Sequence, residues 1–376
     1  MQAFEVADSI VCMNNTPLQG DVYISITTGI GFTSRKIRVD KVEKFIGAST
    51  ANVYFNYVKT VLKKKYKLEV GISVSANATS VYWKSSEEQY VTEMQYVLNE
   101  LFNNFIDEGL FMKEKKSTIE RFQTHYKNLE FRGRLKIMEF SHKNKDYQFE
   151  YLTKDLLNVT VEEVRTMRNY LLFPQNLFLF IHGSTNKDAV KQLAIPNITP
   201  THVQYLFRLE DYHFLQDEAF IKKSKDDYQC GCIKFERGPT FEHISKEYAV
   251  LTLIGEMLFN GYFSIEVDHM DASIIYFETP LRKYKHDVIR IIDRDNVEKA
   301  KIRFLKRFDQ FIGQQPHAFV EMAGRHHFDK INIYEWYDSI KTLNAKEIKD
   351  FVQVRDYKIR EGYIHYYKEE SKYGII

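Results

Sequence analysis

Two asparagines stand four residues apart in the stretch ANVYFNYV (51–58), which continues through KTVLKKK in a helical pattern. A step of four places Asn52 and Asn56 on one helix face, and a helix presents two histidines to one zinc ion by the same spacing. An amide oxygen is a poor zinc ligand, because the metal prefers imidazole, thiolate or carboxylate. On spacing alone, two asparagines on a polar helix face need no functional explanation. The pattern therefore has two interpretations: an ordinary polar helix face, or the remnant of a lost metal site.

Other residues that could do chemistry form no complete motif. The sequence has no H-E-x-x-H or H-x-x-E-H run, and none of its 12 histidines stand four apart. Cys230 and Cys232 flank one glycine, and such a pair without partner ligands predicts buried thiols. The adjacent His326 and His327 point apart on a helix, which disfavours a shared ion and predicts a surface or interface role. GIGFTS (29–34) lacks the lysine of a phosphate-binding loop, and no nucleophile elbow is present.

Composition narrows the class of protein. With 376 residues the chain can bury two or more cores, and 53 basic against 51 acidic residues give a net charge of +2. This balance lacks the basic excess of nucleic-acid-binding proteins. No apolar stretch approaches the roughly 18 residues of a membrane span, the start lacks a signal peptide's basic region, and three cysteines are too few for a disulfide framework. These features predict a cytoplasmic protein that binds neither nucleic acid nor membrane.

The first half of the chain alternates strand and helix patterns. In order it predicts a strand (21–29), a helix (51–65), a strand (71–83), a periodic helix (91–105), a polar helix (112–128) and a closing turn, helix and strand (158–183). In the closing unit, Thr160 followed by Glu163 has the form of a capping box, and the helix must end before Pro174.

The second half repeats this order. It predicts a strand (228–236), a helix stopped by Gly261 (243–261), strand material (264–280), a helix near 284–293, a long helix from about 296 that Pro316 interrupts, and a closing turn, helix and strand (341–368). We therefore expect an α+β protein of two tandem homologous domains, each a mostly antiparallel sheet with helices packed on one face. The expected boundaries are 1–190 and 226–376, joined by a linker at 191–225.

Three stretches carry a resemblance to a known family: the strand SANATSVYW, the polar helix MKEKKSTIERF, and the closing unit LNVTVEEVRTMRNYLLFPQNLFLFIHG. With the order of elements, they resemble the insulinase and mitochondrial-processing-peptidase family of zinc peptidases, M16, over nearly the whole chain. The resemblance implies the M16 or LuxS-like metallohydrolase fold.

In active members of that family the first helix carries A-H-F-L-E-H, in which two histidines bind zinc and the glutamate activates water. Laid on this pattern, Asn52 and Asn56 occupy the histidine positions and Phe55 the glutamate position. The third-ligand position falls at Glu120 or Arg121, and the register between them is open. Phe55 cannot take a proton from water, so general-base catalysis is lost. The resemblance thus implies a degenerate site with no catalytic residue, no metal and no cofactor.

Members of the family often work as pairs in which one subunit lacks the zinc motif, and they hold a peptide as an added strand on a sheet edge. By resemblance, Tyr262 stands in part for a substrate-gripping Arg–Tyr pair whose arginine is missing here, and the edge strand would hold Ala76, Asn77, Ala78, Thr79 and Ser80. The predicted function is a non-catalytic subunit that pairs with an active H-x-x-E-H peptidase and encloses a peptide. The cleaved peptide would be the leader of a modified bacterial peptide, as in subtilosin-type bacteriocin pathways. The alternatives are a stand-alone or homodimeric peptide escort without hydrolysis, and an enzyme with an unrecognised site.

Overall fold

The computed structural model describes residues 2–16, 18, 20–39, 41–103, 105–142, 145–196, 198, 204–205, 218–224, 228–236, 244–267, 271–277, 287–355 and 359–368. Its contacts divide the chain into two compact units. Unit 1 comprises Met1–Phe122, Glu150–Leu209 and Phe311–Phe328, and unit 2 comprises Gln123–Phe149, Glu210–Gln310 and Asp329–Ile376. Each unit thus includes one segment from the other half of the chain.

Unit 1 is built mainly from the first half. Its strands are β1 Gln2–Val6, β2 Ser9–Asn15, β3 Asp21–Thr28, β4 Arg35–Val39, β5 Val42–Ile46, β6 Gly71–Val74, β7 Thr79–Ser86, β8 Leu177–Gly183 and β9 Gln204–Tyr205. The helices of the first half are α1 Thr50–Tyr66, α2 Tyr90–Phe102, α3 Glu108–His125, α4 Leu129–His142, α5 Phe149–Asn158, α6 Val161–Leu171 and α7 Lys187–Val190, with 3-10 helices at Lys145–Tyr147 and Pro174–Asn176. Of these, α4 belongs to unit 2.

The second half supplies most of unit 2. Its strands are β10 Glu218–Ser224, β11 Tyr228–Glu236, β12 Phe263–Val267, β13 Asp271–Phe277 and β14 Ile359–Lys368. Its helices are α8 Ile244–Phe259, α9 Arg294–Gln314, α10 Pro316–Phe328, α11 Ile333–Thr342 and α12 Ala345–Arg355. Here α10 belongs to unit 1.

The two main sheets repeat one topology. Sheet A of unit 1 has the order β1-β2-β8-β3-β7-β6, sheet C of unit 2 has the order β10-β14-β11-β13-β12, and β5-β4-β9 form a small third sheet. In each main sheet the only parallel pair among the described strands includes the closing strand: β2 pairs with β8, and β10 pairs with β14. The pairs β3–β7 and β11–β13 are antiparallel. This correspondence confirms the predicted duplicated α+β fold.

Strand alternation separates the two faces of sheet A. Ile24 and Ile26 on β3 are fully buried in the main core of unit 1, with the apolar stripe of α1 and α2. Ser25 and Thr27 point to the opposite face, where a Cβ on Gly324 of α10 would overlap the Thr27 hydroxyl. The helix backbone therefore lies directly on the strand. In unit 2, Gly133 of α4 lies in the same way on β11, against Tyr228 and Cys230.

Several sequence predictions are confirmed, and others need correction. The helix near 51–65, the closing strand before Gly183 and the break at Pro316 are all present, the last because proline suits the first turn of a helix. The predicted strand 71–83 is wrong, because it is a hairpin of two strands turning at 75–78. The periodic helix ends at Phe102, and Phe105 beyond it is exposed.

Other expectations concern segments that the sequence pattern located less well. Residues 287–293 form turns, so the helix predicted near 284–293 is not seen there, and 284–286 lie outside the described residues. Most of the predicted linker 191–225 lies outside them as well. The boundaries 1–190 and 226–376 follow chain order and stay a prediction. Within the described residues, no helix has both the length and the apolar character needed to cross a membrane.

Candidate functional site

Helix α1 carries the asparagine pair, and its first turn is fixed by carboxylates from two other helices. The cap residue Ser49 makes no side-chain capping bond and α1 has no acidic residue in its first turn. Instead, the Ser49 N–H donates to Asp155 Oδ2 of α5 at 2.7 Å, and the Gly47 N–H donates to Glu163 Oε1 of α6 at 2.6 Å. The Thr50 hydroxyl also donates to Glu163 Oε1, at 2.6 Å. These acids satisfy free N–H groups at the positive end of the helix dipole.

The predicted capping box is therefore wrong in one half. Thr160 is the cap of α6, and its hydroxyl accepts from the Glu163 N–H at 3.1 Å. The Glu163 carboxylate does not return to Thr160, because it bonds to the start of α1. A local motif in the sequence thus serves a contact between residues 113 positions apart.

Asn52 and Asn56 lie on one face of α1 and bond to each other. Asn56 Nδ2 donates to Asn52 Oδ1 at 2.7 Å and to the Asn52 backbone carbonyl at 2.8 Å. Both side chains are half-buried. The amide oxygen of Asn52 is thus already used by its neighbour. This arrangement is a closed amide pair, and it does not have the free imidazole or carboxylate donors that zinc requires.

The remaining predicted positions supply one carboxylate at most, that of Glu120, and no imidazole. Phe55 is fully buried, with its ring 5.1 Å from that of Tyr54. Glu120 is exposed on α3, and Arg121 beside it donates to Thr118 Oγ1 at 3.1 Å. In the described ranges, no group of three or more histidine, cysteine, aspartate or glutamate side chains could hold a metal ion. The residues at these positions do not fit zinc.

The predicted substrate strand is placed differently from expectation. Thr79 and Ser80 open β7, which pairs with β3 on one side and with β6 on the other, so their assignment to an edge strand is wrong. Ala76, Asn77 and Ala78 form the turn between β6 and β7. The hairpin brings its tip to the loop GIGFTS, where Phe32 N donates to Ser75 O at 2.9 Å and Thr33 Oγ1 to Ala76 O at 2.9 Å. Their role in substrate binding stays a prediction.

The edge of sheet A in this region is β6. The Ser75 N–H donates to Ala78 O at 2.8 Å. Because hydrogen-bonded and non-bonded residue pairs alternate along antiparallel strands, this bond fixes which residues of β6 bond to β7. Ser73 therefore bonds inward to β7, and the backbone groups of Ile72 and Val74 point to the open side. All four residues of β6 are half-buried, so this edge is partly accessible.

Tyr262 lies in unit 2, in the turn between α8 and β12. Its side chain is 61% exposed, and its backbone N–H donates to Phe259 O at 3.1 Å. A contact of Tyr262 with substrate stays a prediction. The positive φ angles of Asn260 and Gly261 confirm that α8 stops here.

Two cysteines and one histidine that the sequence singled out are buried in the structure. Cys230 and Cys232 are fully buried free thiols, as predicted, and burial raises the pKa of each to about 12, which makes them poor nucleophiles. The predicted surface role of the histidine pair is wrong for His326, which is 2% exposed on α10. Burial holds its pKa well below the usual value.

Sequence reasoning missed two parts of the site: the acids that hold α1, and the identity of the edge strand. No sequence signal linked Asp155 to residue 49, because their contact spans 106 positions. The sequence did contain a signal for the edge strand. The small residues of SANATS (75–80) can form a turn as readily as a strand, and a turn there divides the predicted strand into β6 and β7.

Comparison with solved structures shows the class of fold. A protein of Alicyclobacillus acidocaldarius described as an M16-like peptidase matches with a TM-score of 0.76 and 12% identity, over 96% of this chain and 97% of that one. A protease of Helicobacter pylori matches with a TM-score of 0.67 and 12% identity, over 96% and 98%. An inactive M16 peptidase domain of Pseudomonas fluorescens matches with a TM-score of 0.65 and 10% identity, over 96% and 97%. No family model and no curated protein matches the sequence. The chain therefore has the M16 peptidase fold, which occurs both in proteins described as peptidases and in a domain described as inactive.

Proposed function

We propose that this protein is a catalytically silent M16-type subunit, which pairs with an active H-x-x-E-H zinc peptidase and helps to hold a peptide for cleavage. The observation that carries the proposal is the closed amide pair of Asn52 and Asn56, with Phe55 buried beside it. By the family resemblance, these residues stand at the positions of the two zinc-binding histidines and the general base. The M16 peptidase fold is present around this pair. A fold kept without its catalytic groups is suited to binding.

The open side of β6 supports peptide binding. An extended peptide can add to a sheet edge through main-chain hydrogen bonds, whatever its side chains. Ile72 and Val74 offer backbone N–H and carbonyl groups there. Ser73 Oγ donates to Glu321 Oε1 of α10 at 2.8 Å, so the strand is also held from within unit 1. We infer that the peptide lies along β6, and that Ala76–Ser80 fix the hairpin behind it.

The proposed partner follows from this role, and the proposed substrate rests on the family resemblance. A subunit without a base or metal ligands can contribute to hydrolysis only by positioning the peptide for a second subunit. We propose an active peptidase of the same fold as that subunit, and the leader segment of a modified bacterial peptide as the substrate. The reaction itself would use zinc and the glutamate of the partner.

The test is metal content and peptidase activity of the pure chain, measured again after mixing with a candidate H-x-x-E-H partner. We expect no bound zinc and no cleavage for the chain alone, and a one-to-one complex that cleaves after mixing. Stoichiometric zinc with chelator-sensitive cleavage by the pure chain would overturn the proposal. A chain that binds peptide in the absence of any partner-dependent cleavage would support the escort function instead.

A pair of variants tests the β6 edge in the same assay. Val74→Pro removes an outward N–H without removing a β6–β7 bond, whereas Val74→Thr keeps the N–H and the shape. We expect Val74→Pro to raise KM about three- to tenfold, because one or two main-chain hydrogen bonds are lost. Equal KM values for the two variants would show that the peptide does not lie along β6.

A further inference from the structure

The two faces of the edge strand β6 have different surroundings. Alternate side chains of a strand point to opposite faces of the sheet. Ile72 and Val74 pack against the main core of unit 1. Gly71 and Ser73 point to the face that α10 covers, with Tyr82 of β7 opposite Gly71. A peptide strand added to β6 would therefore present its side chains to the core side and to the α10 side in turn.

The carboxylate of Glu321 is the charged group on the α10 side of β6. Helix α10 packs mainly on β3, β7 and β8, and Glu321 reaches from it to β6, where Oε1 accepts from the Ser73 hydroxyl at 2.8 Å. Glu321 is half-buried, and its Oε2 is not enclosed and accepts no hydrogen bond from a described residue. A partly desolvated carboxylate with a free oxygen is suited to accept a cation.

The basic groups near Glu321 do not neutralise its carboxylate. Lys84 of β7 pairs with Asp21 at 2.8 Å. Burial and the charge of Lys84 lower the pKa of His317, one helical turn before Glu321, so this imidazole is neutral at pH 7. Arg325, one turn after Glu321, makes no ion pair with it, and neither does any other basic side chain in the described part of the chain.

An aromatic ring lies at the same edge of the sheet. A Cβ added to Gly71 would overlap the ring and hydroxyl of Tyr82, so this ring lies across the backbone of β6. The pKa of Tyr82 is raised, first by burial and then by the charge of Glu321, so the phenol stays neutral beside the carboxylate. A carboxylate next to an aromatic ring is complementary to a cation on an apolar stem.

The register of an added strand brings one peptide side chain to this point. The backbone groups of Ile72 and Val74 point outward, so an antiparallel peptide bonds to them and forms a non-hydrogen-bonded pair with Ser73. In such a pair the Cα atoms are only about 4.5 Å apart, and the side chains lie on the same face of the sheet. Because Glu321 contacts the Ser73 hydroxyl, the peptide side chain opposite Ser73 is within reach of its carboxylate.

We propose that β6 selects an extended peptide with lysine or arginine opposite Ser73 and an apolar residue on each side of it. The cationic group pairs with Glu321, and its methylene stem lies against the Tyr82 ring. The two flanking side chains pack beside Ile72 and Val74 on the other face. This inference rests on the proposed peptide-binding role and adds the substrate class, a segment in which apolar and basic residues alternate.

The test is binding of capped, fluorescently labelled peptides to the full chain, measured by anisotropy. The peptides share a threonine–valine–X–valine–threonine core, in which X is lysine, norleucine or glutamate. Norleucine has a similar length to lysine but no charge. We expect the lysine peptide to bind about fivefold more tightly than the norleucine peptide, as for a partly exposed ion pair, and the glutamate peptide to bind most weakly.

A matched pair of variants assigns the preference to Glu321. Glu321→Gln keeps an acceptor for the Ser73 hydroxyl but removes the charge. We expect it to lower the affinity for the lysine peptide to that for the norleucine peptide, which should itself be unchanged. The control is Glu88→Gln, which removes the same charge from an exposed position after β7 and should keep the preference for lysine. A preference for lysine that survives in Glu321→Gln would overturn the proposal.

The Val74 variants separate this inference from the proposed function. Val74→Pro should weaken all three peptides, whereas Val74→Thr should not. If binding depends on Val74 but X makes no difference in the wild type, the peptide lies along β6 and only the selectivity is overturned. If Glu321→Gln weakens the lysine peptide and Val74→Pro does not, the cation does not come from a strand on β6. Absence of binding for every peptide would overturn both the selectivity and the peptide-binding role of β6.

Discussion

Each main sheet of this protein has one face covered by a helix from the other half of the chain, and the two coverings differ in chemistry. The α10 layer consists of α10 and the strand residues that it covers on sheet A. There Thr27 Oγ1 bonds to the hydroxyls of Ser25 and Ser80, each at 2.9 Å, and all three residues are buried. The ring of His327 stacks on Phe178 at 4.1 Å, and His182 contacts Phe319 at 5.2 Å.

The α4 layer consists of α4 and the strand residues that it covers on sheet C. Its buried cluster is aliphatic, aromatic and thiol: Ile137, Cys230, Cys232, Ile275, Ile364 and Tyr366. Arginines lie over the aromatic rings, with the Arg134 guanidinium 3.9 Å from the centre of the Phe277 ring. Both layers depend on a glycine that lets helix and strand approach closely.

The difference shows that a helix can cover the face of the same kind of sheet through two kinds of packing, one polar and one apolar. Apolar groups pack without direction and tolerate small shifts, whereas buried hydroxyls and imidazoles must keep partners at fixed distances. The α10 layer is therefore the more specific contact and the more easily disrupted one. It lies behind β3 and β7, the strands that support the proposed peptide edge, so loss of its packing would also disturb that edge.

The largest expected effect comes from filling the close approach of helix and strand. Gly324→Ala would overlap Thr27, which is fixed within the sheet, so we expect a loss of about 2–3 kcal/mol in the free energy of unfolding. Gly133→Ala meets the more adjustable Tyr228 and Cys230 side chains at 2.6 and 3.0 Å and should cost about 1 kcal/mol. Denaturant unfolding of both variants measures the difference.

The matched control for the glycine pair is Gly313→Ala in α9, because nothing lies within 4 Å of its added Cβ. This change should stabilise the protein by up to about 1 kcal/mol, through helix propensity alone. If Gly324→Ala is as stable as the control, the α10 layer is not as rigid as its hydroxyl contacts indicate.

Next in size is the carboxylate that holds α1. Glu163→Gln removes the charge that faces Gly47 N and Thr50 Oγ1, and we expect a loss of about 1–2 kcal/mol in chemical denaturation. Glu162→Gln on the neighbouring, exposed position should change stability by less than about 0.5 kcal/mol. Equal losses in the two glutamine variants would contradict this difference.

The two layers should also lose stability at opposite ends of the pH scale. Burial lowers the pKa of His182, His326 and His327, so the unfolded chain binds more protons below about pH 6.5 and stability falls as pH falls. Burial raises the pKa of Cys230 and Cys232 to about 12, so the unfolded chain releases protons first above about pH 9 and stability falls as pH rises.

Hydrogen exchange of strand amides, corrected for intrinsic rates, checks this pair of trends. We expect β3 and β8 to lose protection near pH 5, and β11 and β14 to lose it near pH 10. Each titrating group should change the free energy of unfolding by up to about 1.4 kcal/mol per pH unit. His326→Gln should reduce the acid effect, whereas His125→Gln at an exposed position should leave it unchanged. Parallel loss in both sheets at low pH would show that the two layers do not act separately.

The smallest effect is expected at the asparagine pair itself. Asn52→Ala removes one hydrogen bond to Asn56, whose Nδ2 keeps the backbone carbonyl of residue 52. We expect about 0.5 kcal/mol of destabilisation and unchanged peptide cleavage with a partner. A loss of cleavage with normal stability would mean that the amide pair contacts the substrate directly.

Much of this fold could be predicted from local patterns. The α1 stripe of Val53, Tyr54, Tyr57 and Val58 is buried as its spacing indicated, and Pro174 and Pro316 end and begin helices as proline chemistry requires. The resemblance to M16 peptidases pointed to the fold that the structural comparisons show. Hydrophobic periodicity and secondary-structure propensity involve residues only a few positions apart, so both can be read directly from the sequence.

The sequence by itself determined which chemistry is missing at α1, because no arrangement of Asn52, Phe55 and Asn56 yields a zinc ligand pair and a base. Only the tertiary structure decided that Asp155 and Glu163 hold that helix, and that β6 is the edge of sheet A. Each of these depends on contacts between residues far apart in the chain. Such contacts are set by how whole elements pack, and no local pattern records them.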